Sequence, residues 1–455
     1  MIRGRKVSPV EVAKSYLRRI DEVNPKLNAI VAVSPDVLAR AREAEAAVMR
    51  GDEVGPLHGV PVTVKDTIET KGLKTTAGSL LRATHLPTED APAVAKLKLS
   101  GAILLGKTNV PEMAIPYECD NPVFGRTNNP HDVSKTSGGS SGGEAASISA
   151  CISPFGLGSD LSGSIRVPAH FCGIVGLKPT AGRISAENHF PPAVGPLSLG
   201  AVIGPMARRV EDLSLLLNVL THVKAADSLS EPAPGAEIHG LRVAIYLDEA
   251  SAPVTRETRQ AIEAALQALL DAGLVLTEEK PPGFDRAIDL WPALFSQASL
   301  FQLRAAYAGR EDLAGKVVRK VLASSESGSA LSLEAFFDAW TERDHLRAAF
   351  ISWMLTTPLI IAPVGSRPAF EHGARRVETN GQTISVFRAF GYARAANVLG
   401  LPSISIPAGR SSEGLPIGVQ LIGAPFREEM LLAAASIIED ALGGWVQPEE
   451  SKDKT

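Results

Sequence analysis

Residues 136–179 read TSGGSSGGEAASISACISPFGLGSDLSGSIRVPAHFCGIVGLKP. Two glycine- and serine-rich knots stand in this stretch. The first is Gly138-Gly139-Ser140-Ser141-Gly142-Gly143, and the second runs from Gly158 through Ser159, Asp160, Leu161, Ser162, Gly163, Ser164 and Ile165 to Arg166. Between them lie the small residues of Glu144 to Cys151 and the apolar piece Ile152 to Leu157. Glycine at this density marks backbone in conformations that other residues resist, or backbone that something approaches closely. Apolar, small-residue segments bound each knot, which places the glycines inside a fold and not in a flexible linker. Two such knots, each carrying hydroxyls, imply a site made of serine side chains and main-chain N–H groups.

Outward from this stretch, strands alternate with helices. Ser8-Pro9-Val10-Glu11 has the pattern of a helix start, with a serine cap, proline at the first position and a glutamate three residues on. Val10, Val12, Ala13, Tyr16, Leu17 and Ile20 follow at helical spacing. A second helix is expected from Pro35 to Arg50, and another from Glu89 to Leu99. Val60-Pro61-Val62-Thr63-Val64 is a β-branched strand that ends in the charged pair Lys65-Asp66. Ala102 to Gly106 reads as a buried strand, as do Leu241 to Leu247, Leu274 to Thr277, Leu359 to Pro363, Ser403 to Pro407 and Ile417 to Ile422. Helices are expected over Val210 to Val219, Thr255 to Ala272 and much of 285–355. The alternation predicts an α/β fold. Residues 223–240 are polar with Pro and Gly. They either join two domains or form a loop within one large sheet, and the short, apolar later strands favour the loop.

Composition narrows the function. The 455 residues are 45% hydrophobic and 21% charged, ordinary values for a globular chain with a large core. A net charge of −4 argues against nucleic acid as the main partner. Cys119, Cys151 and Cys172 show neither paired nor metal-site spacing, which fits a reducing, cytoplasmic setting. The first twenty residues contain no apolar signal segment, and no apolar run reaches the ~18 residues of a membrane span. A membrane role is therefore not expected.

A serine becomes a nucleophile only when a base takes its proton. Among the nine histidines, His131 lies in a polar loop and His170 lies six residues past Ser164. Both read as surface or supporting groups. Gly138 to Gly142 matches the G-x-S-x-G elbow, but that elbow follows an apolar strand. Here it follows the polar loop Asn128 to Thr136. No Gly-Lys-Ser/Thr follows the glycines, so a phosphate cradle is a poor reading as well. Lys65 remains, because burial can lower a lysine pKa enough to make it a base near neutral pH.

At this point several segments together resemble the amidase signature family of serine hydrolases, in its fatty-acid-amide-hydrolase-like and bacterial amidase branch. They are Gly59 to Asp66, Gly106 to Asn109, Phe124 to Pro130, the two knots, Val167 to Ala169, Phe171 to Thr180, Gly204 to Ala207 and Gly414 to Gln420. The resemblance implies a large mixed β-sheet with helices on both faces, in one domain over 1–455. Residues 285–355 would be a variable helical wall of the substrate pocket. It also implies a Ser–Ser–Lys triad: Ser164 as nucleophile, Ser140 as the bridging serine on a cis Gly139–Ser140 peptide, and Lys65 as base. The N–H groups of Leu161, Ser162, Gly163 and Ser164 would form the oxyanion hole, with Asp160 and Arg166 as a scaffold ion pair. Neither a metal nor an organic cofactor is expected. Dimers are common in the family, so a homodimer is an expectation.

One departure stands out: Ser162 occupies a position where the family usually has glycine. The first functional reading is a free-standing amidase that cleaves a small-molecule amide. Its pocket would draw on Tyr117 to Cys119 and His189-Phe190-Pro191, with Tyr117, Cys119 and Phe190 as contact residues. Trp291, Phe295, Phe301 and Phe336 are further candidates, although packing within the core explains them better. The alternative is the A subunit of a glutamine-dependent tRNA amidotransferase, which would release ammonia from glutamine and pass it to a partner subunit. The third reading is a family member impaired by Ser162.

Overall fold

The computed structural model describes residues 1–221, 238–247, 252–326 and 331–449. Residues 223–237 of the expected linker lie outside the described residues. The strands are β1 (Ile30–Val33), β2 (Pro61–Lys65), β3 (Ile103–Thr108), β4 (Phe155–Asp160), β5 (Val175–Lys178), β6 (Val202–Ala207), β7 (Arg242–Ile245), β8 (Val275–Thr277), β9 (Leu359–Pro363), β10 (Arg376–Thr379), β11 (Gln382–Ser385), β12 (Ser403–Arg410) and β13 (Pro416–Gly423). Eleven of them form one sheet in the order β1-β3-β2-β4-β6-β5-β12-β13-β9-β7-β8, and β10 and β11 form a separate hairpin. The sheet is mixed. β2 runs parallel to β3 and β4, whereas β4 is antiparallel to β6 and β12 to β13. Strands from both sides of 223–240 share this sheet.

The side-chain alternation of the strands sorts the core into two faces. On β3, Leu104 joins the layer that contains the helices Val210–Thr221, Arg256–Asp271 and Glu428–Leu442. Ile103 and Leu105 join the opposite layer, with the helices Pro9–Leu27, Val37–Arg50 and Gly142–Ser149. A sheet covered on both faces is the expected α/β arrangement. The first helix starts as its sequence indicates: the Ser8 hydroxyl accepts the Val10 N–H, and the Glu11 carboxylate accepts the Ser8 N–H at 2.9 Å. The helix expected from Glu89 begins at Pro92, since proline at the first position needs no N–H partner.

Both glycine knots serve the sheet's central strands. The first opens the helix Gly142–Ser149, every residue of which is buried. The second continues β4 into the helix Arg166–Cys172. β2 ends at Lys65 and β4 at Asp160, so their carboxyl ends share one edge of the sheet, the usual place for a ligand site in such folds. Glycine at position 156 is required here. A Cβ on it would meet a Glu144 carboxylate oxygen at 2.0 Å.

Candidate active site

Lys65 is the last residue of a fully buried strand and has no exposed surface. Its ammonium is held by three oxygens: Ser140 Oγ at 2.7 Å, Ser159 Oγ at 2.9 Å and the Ser159 carbonyl at 3.3 Å. Burial lowers its pKa from 10.5 to about 7, against the opposing pull of Asp160, Cys119 and Glu144. The amine is thus available as a base near neutral pH. Below it, Glu144 accepts hydrogen bonds from the Thr63 and Thr108 hydroxyls, and burial raises its carboxyl to about 7.

Ser140 follows a cis Gly139–Ser140 peptide, as the resemblance implies. The Ser141 N–H bonds the Ser164 carbonyl at 3.1 Å and ties the two serine turns together. Ser140 and Ser164 line the same cavity. Among the described residues, no hydrogen bond joins their hydroxyls directly.

The turn that carries Ser164 is fixed by a fully buried ion pair. Arg166 grips Asp160 at 3.0 and 3.1 Å and reaches on to Gln420 of β13 at 2.9 Å and to Asn397 at 2.7 Å. Burial alone would raise the Asp160 pKa, but Arg166 and Lys178 hold its carboxyl well below the usual range. Asp160 also accepts the N–H groups of Gly163 at 2.7 Å and Ile165 at 3.1 Å. This removes Gly163 from the expected oxyanion set, because its only backbone donor is already committed. Among the described residues, the N–H groups of Leu161, Ser162 and Ser164 make no hydrogen bond and lie in the turn that borders the cavity.

Ser162 proves compatible with this turn. The left-handed residue is Gly163, at φ +100°, where a Cβ would meet Ala393 at 2.7 Å. Ser162 is not in that region, so a side chain there introduces no backbone strain of this kind. The Tyr117 hydroxyl donates to the Ser162 carbonyl at 2.6 Å. Having one proton, Tyr117 then accepts from the Ser162 hydroxyl at 2.7 Å.

A cavity of about 760 Å³ opens over these serines. Met113, Ile115, Leu197, Trp291, Leu300 and Phe387 give it apolar walls. Asp120, Lys316, Lys320 and Arg375 are the exposed charges on its rim. Of the three contact residues expected from sequence, only Tyr117 lines it. Cys119 is fully buried behind the wall against Thr127, its thiol pushed up to about 12 by burial. Phe190 faces the other way. It packs with Met113, Leu303 and Tyr307 under the Arg82 guanidinium, 3.9 Å from its centre. His189 forms an isolated bridge with Ile68 and the chain bends at Phe190, so that His189 and Pro191 line the cavity and Phe190 does not.

The aromatic helices divide similarly. Trp291 lines the cavity, and its indole N–H donates to the Leu161 carbonyl at 2.8 Å. Phe295 is core, Phe336 packs edge-on against Trp340, and Phe301 is 78% exposed. Phe387 lines the cavity 5.7 Å from Trp291, and nothing in its local sequence marks it. His170 is fully buried and His131 half-buried, and both are supporting groups. His170 donates to the Arg367 carbonyl at 2.9 Å and accepts from the Gly418 N–H, while His131 bonds the Cys172 carbonyl at 3.1 Å. Neither bonds a serine of either knot. Sequence reasoning missed Ser159 and treated His189 only as a wall. The two bond each other at 2.9 Å, directly beside Lys65.

The Amidase family model matches residues 11–432. The A subunit of glutamyl-tRNA(Gln) amidotransferase from Thermus thermophilus is 36% identical over 461 residues, which cover 96% of this chain and 94% of that protein. The structure of 6-aminohexanoate cyclic dimer hydrolase complexed with substrate superposes with a TM-score of 0.85 at 28% identity, covering 98% of this chain and 97% of that one. Fatty acid amide hydrolase superposes with a TM-score of 0.84 at 26% identity, covering 98% of this chain and 84% of that one.

Proposed function

Because this chain belongs to the amidase signature family, we propose that it hydrolyses an amide through an acyl-enzyme on Ser164, with Ser140 and Lys65 as the proton relay. The observation that carries this reading is the 2.7 Å contact between Ser140 Oγ and a buried lysine whose pKa lies near 7. Neutral Lys65 takes the Ser140 proton as Ser140 takes that of Ser164. Ser164 Oγ forms a bond to the amide carbonyl carbon, and the oxyanion rests against the N–H groups of Leu161, Ser162 and Ser164. The proton passes back through the relay to the amine nitrogen as the C–N bond breaks. Water then cleaves the ester by the same relay in reverse. The same proposal takes 1–455 as one amidase domain, with 285–355 supplying a pocket wall. In its support, one sheet draws strands from both sides of 223–240.

Two substrate readings stand. The apolar walls support a free-standing amidase for an amide with a sizeable apolar part. The relatives by sequence support the glutamine-dependent amidotransferase reading, with a protein partner, more strongly than they support a free-standing amidase. Glutamine carries two charges, and burying them needs charged partners within reach. Besides its exposed rim charges, the cavity is lined by Asp160, which is committed to Arg166, and by the half-buried Glu118, which accepts the Gly373 N–H. The impaired-enzyme reading has less support, since Ser162 fits its turn without left-handed strain.

A fluorophosphonate probe tests the common chemistry. Labelling is expected on the Ser164 peptide and is expected to disappear in Ser164→Ala. An adduct on Ser140 overturns the assignment. Release of 4-nitroaniline from an apolar acyl anilide by the isolated protein selects the first substrate reading. Glutamine hydrolysis that appears only with a partner selects the second.

A further inference from the structure

We propose that His189 and Ser159 form a positioning pair that sets the direction of the Lys65 relay by reserving the lysine lone pair for Ser140. This inference rests on the amidase reading above and extends it to two residues outside the triad.

The argument is one of proton accounting. His189 Nδ1 lies 2.8 Å from the Pro191 carbonyl. A carbonyl can only accept, so Nδ1 carries the proton. Burial is the main cause that holds the His189 pKa down to about 4, with Lys65 and Lys107 adding to it. A neutral ring has one N–H, so Nε2 presents a lone pair. Its partner is Ser159 Oγ at 2.9 Å, which must donate. Ser159 has only that proton. Its oxygen therefore accepts from Lys65 Nζ at 2.9 Å, and its carbonyl accepts from the same nitrogen at 3.3 Å. A neutral amine has two hydrogens and one lone pair. Both hydrogens are drawn to Ser159, and the lone pair is left facing Ser140 Oγ at 2.7 Å.

Without His189, the Ser159 hydroxyl is free to turn and donate to the same lone pair. It would then compete with Ser140 for the base. The fold holds His189 in place from the segment that directly follows the lysine. Ile68 pairs with His189, the Phe190 N–H bonds the Thr67 carbonyl at 2.7 Å, and the Glu69 N–H bonds the Asn188 carbonyl at 2.9 Å. The titratable groups around the pair are Asp160, Cys119 and Glu144 on the Lys65 side and Lys107 on the His189 side.

The test measures the rate at which a fluorophosphonate probe labels Ser164, as a function of pH, in the full chain. His189→Ala and Ser159→Ala are each expected to slow labelling at saturating probe about tenfold or more, a fraction of the ~10²–10⁴-fold contribution of a full proton transfer, with little change in the half-saturating concentration. In His189→Ala the acid limb of the profile also moves to lower pH, because a donating Ser159 favours the neutral amine. Damage to the fold lowers the plateau and leaves the limb in place. Ser159→Thr keeps the hydroxyl and recovers most of the rate. In a Ser159→Ala background, His189→Ala adds less than about twofold, as expected for residues acting as a unit. The proposal is overturned if His189→Ala labels at the wild-type rate. It is also overturned if His189→Ala costs the same factor with and without the Ser159 hydroxyl. Labelling that survives in Ser164→Ala overturns the amidase reading itself, whatever His189 does.

Discussion

Lys65→Met is expected to make this protein more stable while abolishing its chemistry. Wild-type Lys65 has a pKa of about 7 in the folded chain and about 10.5 when unfolded. At about 1.4 kcal/mol per pH unit, that gap means burial costs about 5 kcal/mol below pH 7. Methionine fills a similar volume and carries no charge. Against the gain, Ser140 and Ser159 lose a donor, which costs about 1–3 kcal/mol in total. The net gain is about 2–4 kcal/mol at pH 6–7. Its sign follows from the depressed lysine pKa. Between pH 7 and 10.5 the unfolded chain binds the extra proton, so wild-type stability rises with pH and the advantage of Lys65→Met shrinks. It shrinks by about 1.4 kcal/mol per pH unit across that window and stops changing above about pH 10.5. The assay is urea unfolding of both proteins from pH 6 to 9.5, alongside fluorophosphonate labelling. A stability difference that does not change with pH refutes the argument that Lys65 is held neutral by burial. So does a Lys65→Met protein that is less stable at pH 6.

Three further outcomes follow from the same geometry. Ser164 labelling should rise with pH through about 7, about tenfold per pH unit on the acid side, because only neutral Lys65 accepts a proton; a profile flat from pH 5 to 8 contradicts this. Tyr117→Phe removes the donor at 2.6 Å from the Ser162 carbonyl and should slow labelling about three- to tenfold, the equivalent of one hydrogen bond, with unfolding nearly unchanged; an unchanged rate sinks this role. Asp160→Asn leaves the Arg166 guanidinium buried without its counter-charge, so chemical denaturation should show a loss of about 3–5 kcal/mol, and a loss under 1 kcal/mol would mean the pair holds nothing in place.

Much of the site was legible because the chemistry sits in glycine-rich turns of distinctive sequence. Lys65 stands at the end of a β-branched strand, and the two serine knots declare backbone that needs glycine. What escaped was set by direction and distance. Phe190 and Cys119 were expected on the pocket wall, but the bend at Phe190 turns it toward Met113, Leu303 and Tyr307, and burial places Cys119 behind the wall. Gly163 was expected to donate to an oxyanion, but the Asp160 carboxylate curls back and takes its N–H. Phe387 lies about 100 residues from Trp291 along the chain and meets it only in the folded cavity.

From sequence alone, the chain determines its α/β class, the family it belongs to, and the three residues proposed for the chemistry. These follow from local composition, the strand and helix periods, and motifs short enough to read along the chain. Tertiary structure alone decides which way each side chain faces, which N–H groups remain open and how the lysine is oriented. Lys65, Ser140, Ser159 and His189 are separated by up to 124 positions, yet each lies within 3 Å of another in this group. A proton relay depends on distances of a few tenths of an ångström and on which atom holds each hydrogen. Only packing between β2, β4 and the segment around His189 sets those.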